Sequence, residues 1–153
     1  MSIKSITIIF ILVLFIASIT QILYAETLVL ENGITLSINN ERVYFNNDTG
    51  YPIIYNNRTL LPIRFVAENL GYNVTWDDRH KIAYLTSLDG YTEVKLAPDS
   101  DYIFVNNKGF KIDTKTLIFN GRIHVPVRFL AETLDYEVQW DSETQRININ
   151  GGD

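Results

Sequence analysis

Arg58-Thr-Leu-Leu-Pro-Ile-Arg-Phe-Val-Ala-Glu-Asn-Leu-Gly-Tyr-Asn-Val-Thr-Trp-Asp77 decides how this chain is read, because it returns 64 positions later without a gap. The second copy is Arg122-Ile-His-Val-Pro-Val-Arg-Phe-Leu-Ala-Glu-Thr-Leu-Asp-Tyr-Glu-Val-Gln-Trp-Asp141, identical at eleven of the twenty positions. Such agreement in a chain of 153 residues points to an internal duplication. The period exceeds the roughly 20–50 residues of solenoid repeats, so two copies imply a pseudo-symmetric fold rather than an open array.

Each copy has a local physical reading. Arg58 to Leu61 and Arg122 to Val125 are short extended runs, and Pro62 and Pro126 after them suit the first turn of a helix. Ile63, Val66, Ala67 and Leu70 then fall at the i, i+3, i+4, i+7 spacing of a one-faced helix, as do Val127, Leu130, Ala131 and Leu134. Gly71 stands where a left-handed residue commonly stops a helix, and Asp135 takes that place in the second copy. Tyr72 to Trp76 and Tyr136 to Trp140 alternate as half-buried strands do. The predicted unit is strand, helix of about nine residues, strand.

Composition bounds the rest. Length allows one domain. The start, Met1 to Lys4, is short and positively charged; Ile6 to Ile19 is apolar apart from Thr7 and Ser18; Gln21-Ile-Leu-Tyr-Ala25 follows. This is the layout of a secretory signal peptide over residues 1–25, with Leu23 unusual three positions before the cut. An uncleaved membrane anchor is the rival, but the run is shorter than the ~20 apolar residues that span a bilayer. The mature domain would be residues 26–153, with repeat units of about 28–86 and 91–150. Losing Lys4 takes the formal charge from −5 to −6, which argues against nucleic acid and against anionic lipid as partners. Without cysteine there is neither a disulfide framework nor a thiolate metal site.

The flanking segments read as strands and turns. Thr27 to Ile38 is expected to form a hairpin about Asn32-Gly33, since both residue types accept positive φ. Asn39-Asn40, Asn56-Asn57, Asp89-Gly90, Asn106-Asn107 and Asn120-Gly121 mark further turns, and Asn46 to Gly50 a polar loop. Arg146 to Asn150 closes as a last strand. The pattern predicts an α+β domain, mostly antiparallel strands with two short helices.

The charges and aromatic residues of the repeat admit more than one reading. Arg64 with Glu68, and Arg128 with Glu132, are at i, i+4 and can form helix ion pairs. Alternatively each Glu accepts from Arg58 or Arg122 on the preceding strand, locking helix to sheet, or the arginines anchor a carboxylate or phosphate partner. A fold-defining role is favoured because both copies carry the set. Trp76-Asp77 and Trp140-Asp141 are read as lids on the core in preference to sugar platforms, with Phe65 and Phe129 also counted in the structural motif. Catalytic arrangements are poor: Asp77-Asp78 resembles a polar turn, Ser100 and Ser142 lack a histidine at a motif-defining spacing, and no glycine-rich phosphate loop is present. Three Asn-x-Thr triplets begin at Asn47, Asn57 and Asn73 and are read as products of Asn-rich turns.

Arg58 to Gly71, with Val74-Thr-Trp-Asp77 and the Val105-Asn-Asn turn, resembles the copper amine oxidase N-terminal-like domain, or stalk domain. The resemblance runs from about Leu28 to Ile149, departing at Asp135 for a usual Gly and at Asn106-Asn107 for Asn-Gly. It implies an exported bacterial α+β module of Gram-positive envelopes, often joined to other domains, without the oxidase's catalytic site. The residues agree with that last point. An oxidase site requires three histidines and a tyrosine in an Asn-Tyr-Asp/Glu context; His80 and His124 are the only histidines and no tyrosine follows an Asn. The expectation is therefore a non-enzymatic structural or binding module, without cofactor or metal, meeting an envelope protein or a wall polymer. A carbohydrate or peptidoglycan binder using exposed aromatics is the first alternative, and a small metal-dependent enzyme the second.

Overall fold

A computed structural model describes residues 28–30 and 33–151; the segment read as a signal peptide lies outside the described residues. The described elements run β1 (Leu28–Leu30), β2 (Thr35–Ile38), β3 (Glu41–Val43), β4 (Ile53–Tyr55), β5 (Arg58–Pro62), α1 (Ile63–Asn69), β6 (Tyr72–Asp77) and β7 (Ile82–Ser87). They continue β8 (Glu93–Leu96), β9 (Tyr102–Val105), β10 (Lys108–Lys111), β11 (Leu117–Phe119), β12 (Arg122–Pro126), α2 (Val127–Thr133), β13 (Tyr136–Asp141) and β14 (Arg146–Gly151). Among these strands only β14 and β2 pair in parallel, so the expected α+β, largely antiparallel class is what is found. No helix of the described residues is long and apolar enough to cross a membrane.

Each copy of the repeated stretch forms strand, helix and strand. The helices are seven residues long against the nine or so predicted, because Pro62 and Pro126 belong to the strands and act as N-caps at φ −63° and −62°, while Leu70 and Leu134 are the C-caps. Proline has no N–H to extend a ladder, and its fixed φ already suits entry to a helix. Gly71 and Asp135 stop the helices at φ +83° and +60°, as their positions predict.

Three sheets result among the described residues. The central one has the order β1-β4-β5-β12-β11. In it β5 and β12 run antiparallel, with Leu61 opposite Val125, Pro62 opposite His124 and Leu60 opposite Pro126. Leu61 and Val125 are equivalent positions of the two copies, so the pairing is symmetric about them. The second sheet is β10-β9-β8-β7-β6 and the third β13-β14-β2-β3. Both helices pack against β5 and β12. Leu61, Val66, Leu70, Val127 and Ala131 join Leu36, Ile38, Ile147 and Ile149 in one core cluster. Ile63, Ala67, Val125 and Leu130 join Ala83, Leu85, Val94, Leu96 and Ile103 in another.

Four tight turns have both central residues at positive φ: Asn39-Asn40, Asn56-Asn57, Asn106-Asn107 and Asn120-Gly121. Each links adjacent antiparallel strands, as the twist of such turns requires. The hairpin expected about Asn32-Gly33 does not form. Leu28–Leu30 pairs with β4, whereas Thr35–Ile38 pairs with β14 and β3 in a different sheet. Leu36 and Ile38 are buried against Ile147 and Ile149, so distant apolar pairing overrides the local turn signal.

Gly50 ends the loop over β12 at φ +82°, and a Cβ there would lie 2.7 Å from Cδ of Arg122. That guanidinium is held by the carbonyls of Asn47, Asp48 and Asn120, so it has little room to yield. Gly50→Ala is expected to lower stability by about 1–3 kcal/mol, read as an earlier urea midpoint with an unchanged slope.

Candidate functional site

Trp76 shares a strand face with Tyr72 and Val74, and Trp140 with Tyr136 and Val138. Tyr72, Val74, Tyr136 and Val138 pack against the core. The tryptophans stand at the end of that face, opposite the buried Ala83 and Ile147, and are more than half covered while 38% and 45% of each stays exposed.

Each tryptophan lines a surface groove, of about 610 Å³ beside Trp76 and about 570 Å³ beside Trp140. The first takes Pro62, Arg64, Phe65 and Glu68 from its own copy and Arg122 from the other. The second takes Pro126, Arg128, Phe129 and Glu132, with Arg58 from the other copy. Twelve of the fourteen motif residues thus meet in two equivalent places; Asp77 and Asp141 are not among the lining residues. The exchange of Arg58 and Arg122 follows from the antiparallel pairing of β5 and β12, which sets the start of each strand beside the helix that follows the other.

That exchange overturns the expectation that Glu68 and Glu132 accept from Arg58 or Arg122. Arg58 donates to Asp113, at 2.7 Å from Nε and 2.6 Å from Nη2. Arg122 is consumed by the backbone carbonyls under Gly50. Arg64 does reach Glu68 at 3.3 Å, and also donates to the Val74 carbonyl at 2.8 Å. Both side chains of that pair are more than half exposed, so it contributes only some tenths of a kcal/mol. Phe65 meets Phe45 at 5.1 Å between centroids, and Phe129 meets Phe110 at 6.3 Å, which ties the helices to neighbouring strands.

Asp77 and Asp141 do a local job. Asp77 Oδ1 accepts from the Arg79 and His80 amides, and Oδ2 lies 2.6 Å from His80 Nδ1, which therefore carries the hydrogen. Asp141 Oδ1 accepts from the Glu143 and Thr144 amides and Oδ2 from the Thr144 hydroxyl. The side-chain bonds from His80 and Thr144 respectively hold the two carboxyls below the usual carboxylate range. Repetition of Trp-Asp is thus a turn requirement at its second residue. Asp113, Thr59, Gln139 and Lys111 also line the second groove without a sequence signal for a site, and Asn57, legible only as a turn residue, joins them.

His124 is fully buried, with Nδ1 3.0 Å from the Arg122 carbonyl and Nε2 3.1 Å from that of Tyr51. Burial pushes its pKa below 6.5, against the opposing pull of the two carbonyls. A neutral ring can donate to only one of them. His80 lies in the exposed turn at Asp77, and no group of three or more His, Cys, Asp or Glu among the described residues is arranged to hold a metal.

The geometry defines an α+β domain with two matching surface grooves. Residues 34–149 match the copper amine oxidase N-terminal domain, and the chain belongs to that family. This is the non-catalytic domain of those proteins. Over 80 residues the chain is 35% identical to a protease inhibitor of Brevibacillus choshinensis, a match covering 52% of this chain and 24% of that protein. The chain therefore spans about a quarter of that relative's length.

Because His124 is held neutral with a folded pKa below its unfolded one, the unfolded state binds the extra proton more readily. Stability is expected to be full above about pH 6.5 and to fall as the pH drops below it. His124→Gln should flatten that part of a profile of urea midpoint against pH.

Proposed function

We propose that this chain is a non-catalytic binding module of an exported protein of the Gram-positive cell envelope, and that its two Trp–Arg grooves are the contact surfaces. The observation that carries this reading is the exposure of both tryptophans in grooves that also collect the repeated arginines. Large aromatics with a polar handle, placed beside guanidinium groups, are the residue types that dominate binding energy at interfaces. A relative named as a protease inhibitor favours a binding role over a catalytic one. Export is supported by the apolar stretch Ile6 to Ile19 behind Lys4, which would act as a signal peptide ending at Ala25.

The same reading takes the chain as an internal duplication within one domain of residues 26–153, the units being about 28–86 and 91–150. Support comes from the register of β5 on β12, symmetric about Leu61 and Val125. The units interleave, since β2 and β3 complete the sheet of β13 and β14. The partner is an envelope protein or a wall polymer, with nucleic acid and anionic lipid disfavoured by the acidic charge. A carbohydrate-binding role is the second reading, favoured by the exposure of the indoles.

Co-sedimentation of the full chain with isolated Gram-positive cell walls checks the proposal. Retention on walls stripped of protein would indicate direct recognition of the polymer, and retention on intact walls alone a protein partner. Recovery in the supernatant in both cases would overturn the envelope-binding role. Trp76→Ala and Trp140→Ala are expected to weaken retention and to cost about 1–2 kcal/mol of stability, read as an earlier urea midpoint, since each indole is more than half covered.

A further inference from the structure

The two grooves are built from equivalent residues, but their polar groups are engaged differently. Beside Trp76 the repeated polar groups have internal partners. Arg64 is bound to Glu68 and to the Val74 carbonyl, and the indole Nε1 donates to Asp78 at 3.3 Å. The positions facing them from the other copy are Gly121 and Ile123, which offer no polar side chain. Beside Trp140 every one of these features is reversed. Arg128, Glu132 and the indole Nε1 of Trp140 have no side-chain partner among the described residues, and the facing positions are Asn57 and Thr59.

Two of these differences are written in the sequence. Asp78, the acceptor for Trp76, is replaced at the equivalent position by Ser142, and Gly121 and Ile123 correspond to Asn57 and Thr59. The second groove therefore presents an exposed indole, a guanidinium free to bind a carboxylate through two parallel bonds, and a ring of amide, hydroxyl and carboxylate groups with unused hydrogen-bonding capacity. An apolar peptide side chain would leave Asn57, Thr59 and Glu132 without partners, whereas a hydroxylated ring would engage them. A pyranose offers an apolar C–H face for an aromatic side chain and hydroxyls around its rim. Among the described residues Arg128 is the one cation of this groove without an ion pair, which gives a place for a single carboxylate within a chain whose net charge disfavours extended polyanions. The groove's volume of about 570 Å³ lies in the range that holds a ligand of several hundred daltons.

We propose that the Trp140 groove, and not its Trp76 counterpart, is a binding site for a glycan containing hexuronic acid, with the carboxylate on Arg128 and the sugar ring against Trp140. This rests on the reading of the chain as a binding module and names the ligand chemistry of one of its two grooves.

The chain has two tryptophans, so its indole N–H region in a ¹⁵N-correlated spectrum contains two signals, assigned by Trp76→Phe. The full chain is titrated with a tetrasaccharide alternating glucuronic acid and N-acetylglucosamine, with the same tetrasaccharide after reduction of its carboxylates to alcohols, and with a short peptide of aspartate and leucine. The acidic tetrasaccharide should move the Trp140 signal and leave that of Trp76 in place. The reduced sugar should bind at least about tenfold more weakly, as should Arg128→Gln with the acidic one. Ser142→Asp, which gives Trp140 the internal acceptor that Trp76 has, should weaken binding without unfolding the domain. Movement of both signals together, equal affinity for the reduced sugar, tighter binding of the peptide or no movement at millimolar sugar would each overturn the proposal. Retention on cell walls with a silent Trp140 signal would remove this inference and leave the binding-module reading standing; failure of both would remove both.

Discussion

Everything in this fold hangs from three residue pairs between β5 and β12. The two strands run antiparallel through the middle of the central sheet, and each ends in a proline that turns the chain directly into a helix. The helices therefore leave the pair in opposite directions, and each carries apolar side chains into both main clusters. Leu61 enters one cluster and its partner Val125 the other. The same antiparallel geometry carries Arg58 and Arg122 across to the opposite groove. Contacts between residues more than sixty positions apart thus set both the core and the surface sites, so the chain must close a long loop before its central pairing is rewarded.

What the sequence reveals and conceals divides along that line. Turns with two left-handed residues, the one-faced helices and the stop at Gly71 and Asp135 depend on a few neighbouring residues, and each was legible. Pairing between distant strands was not. Asn32-Gly33 has the composition of a hairpin turn, but Leu36 and Ile38 gain more by burial against Ile147 and Ile149, at the far end of the chain. The tryptophans follow their strand periodicity and stand opposite Ala83 and Ile147, but the grooves they line are completed by residues of the other copy, which neither copy shows alone. The roles of Arg58 and Arg122 could not be found within either copy, since the groups they bind lie in Asp113 and in the loop from Asn47 to Asp48.

Sequence likeness between the copies extends to their backbones more fully than to their surfaces. Identical arginines and tryptophans occupy both grooves, and a single exchange, Asp78 for Ser142, accounts for one indole being bound internally and the other not. Repetition preserves what the fold needs, namely the prolines, the helix stripe and the aspartates that clamp the turns. Positions outside that requirement have room to differ, and they lie at the groove rims.

The parallel pairing of β2 with β14 has a mechanical consequence. Four residue pairs join these strands, with further bonds from the Thr35 amide to the Gln145 carbonyl and from the Asn39 amide to the Ile149 carbonyl. One strand lies near the start of the described chain and the other at its end, and both point the same way. Tension applied through the chain on either side of this pair would drag the strands past each other along their length. All the bonds between them would then share the load at once, instead of opening one after another as in a peeled hairpin. Pulled along that line, the domain would resist extension most strongly.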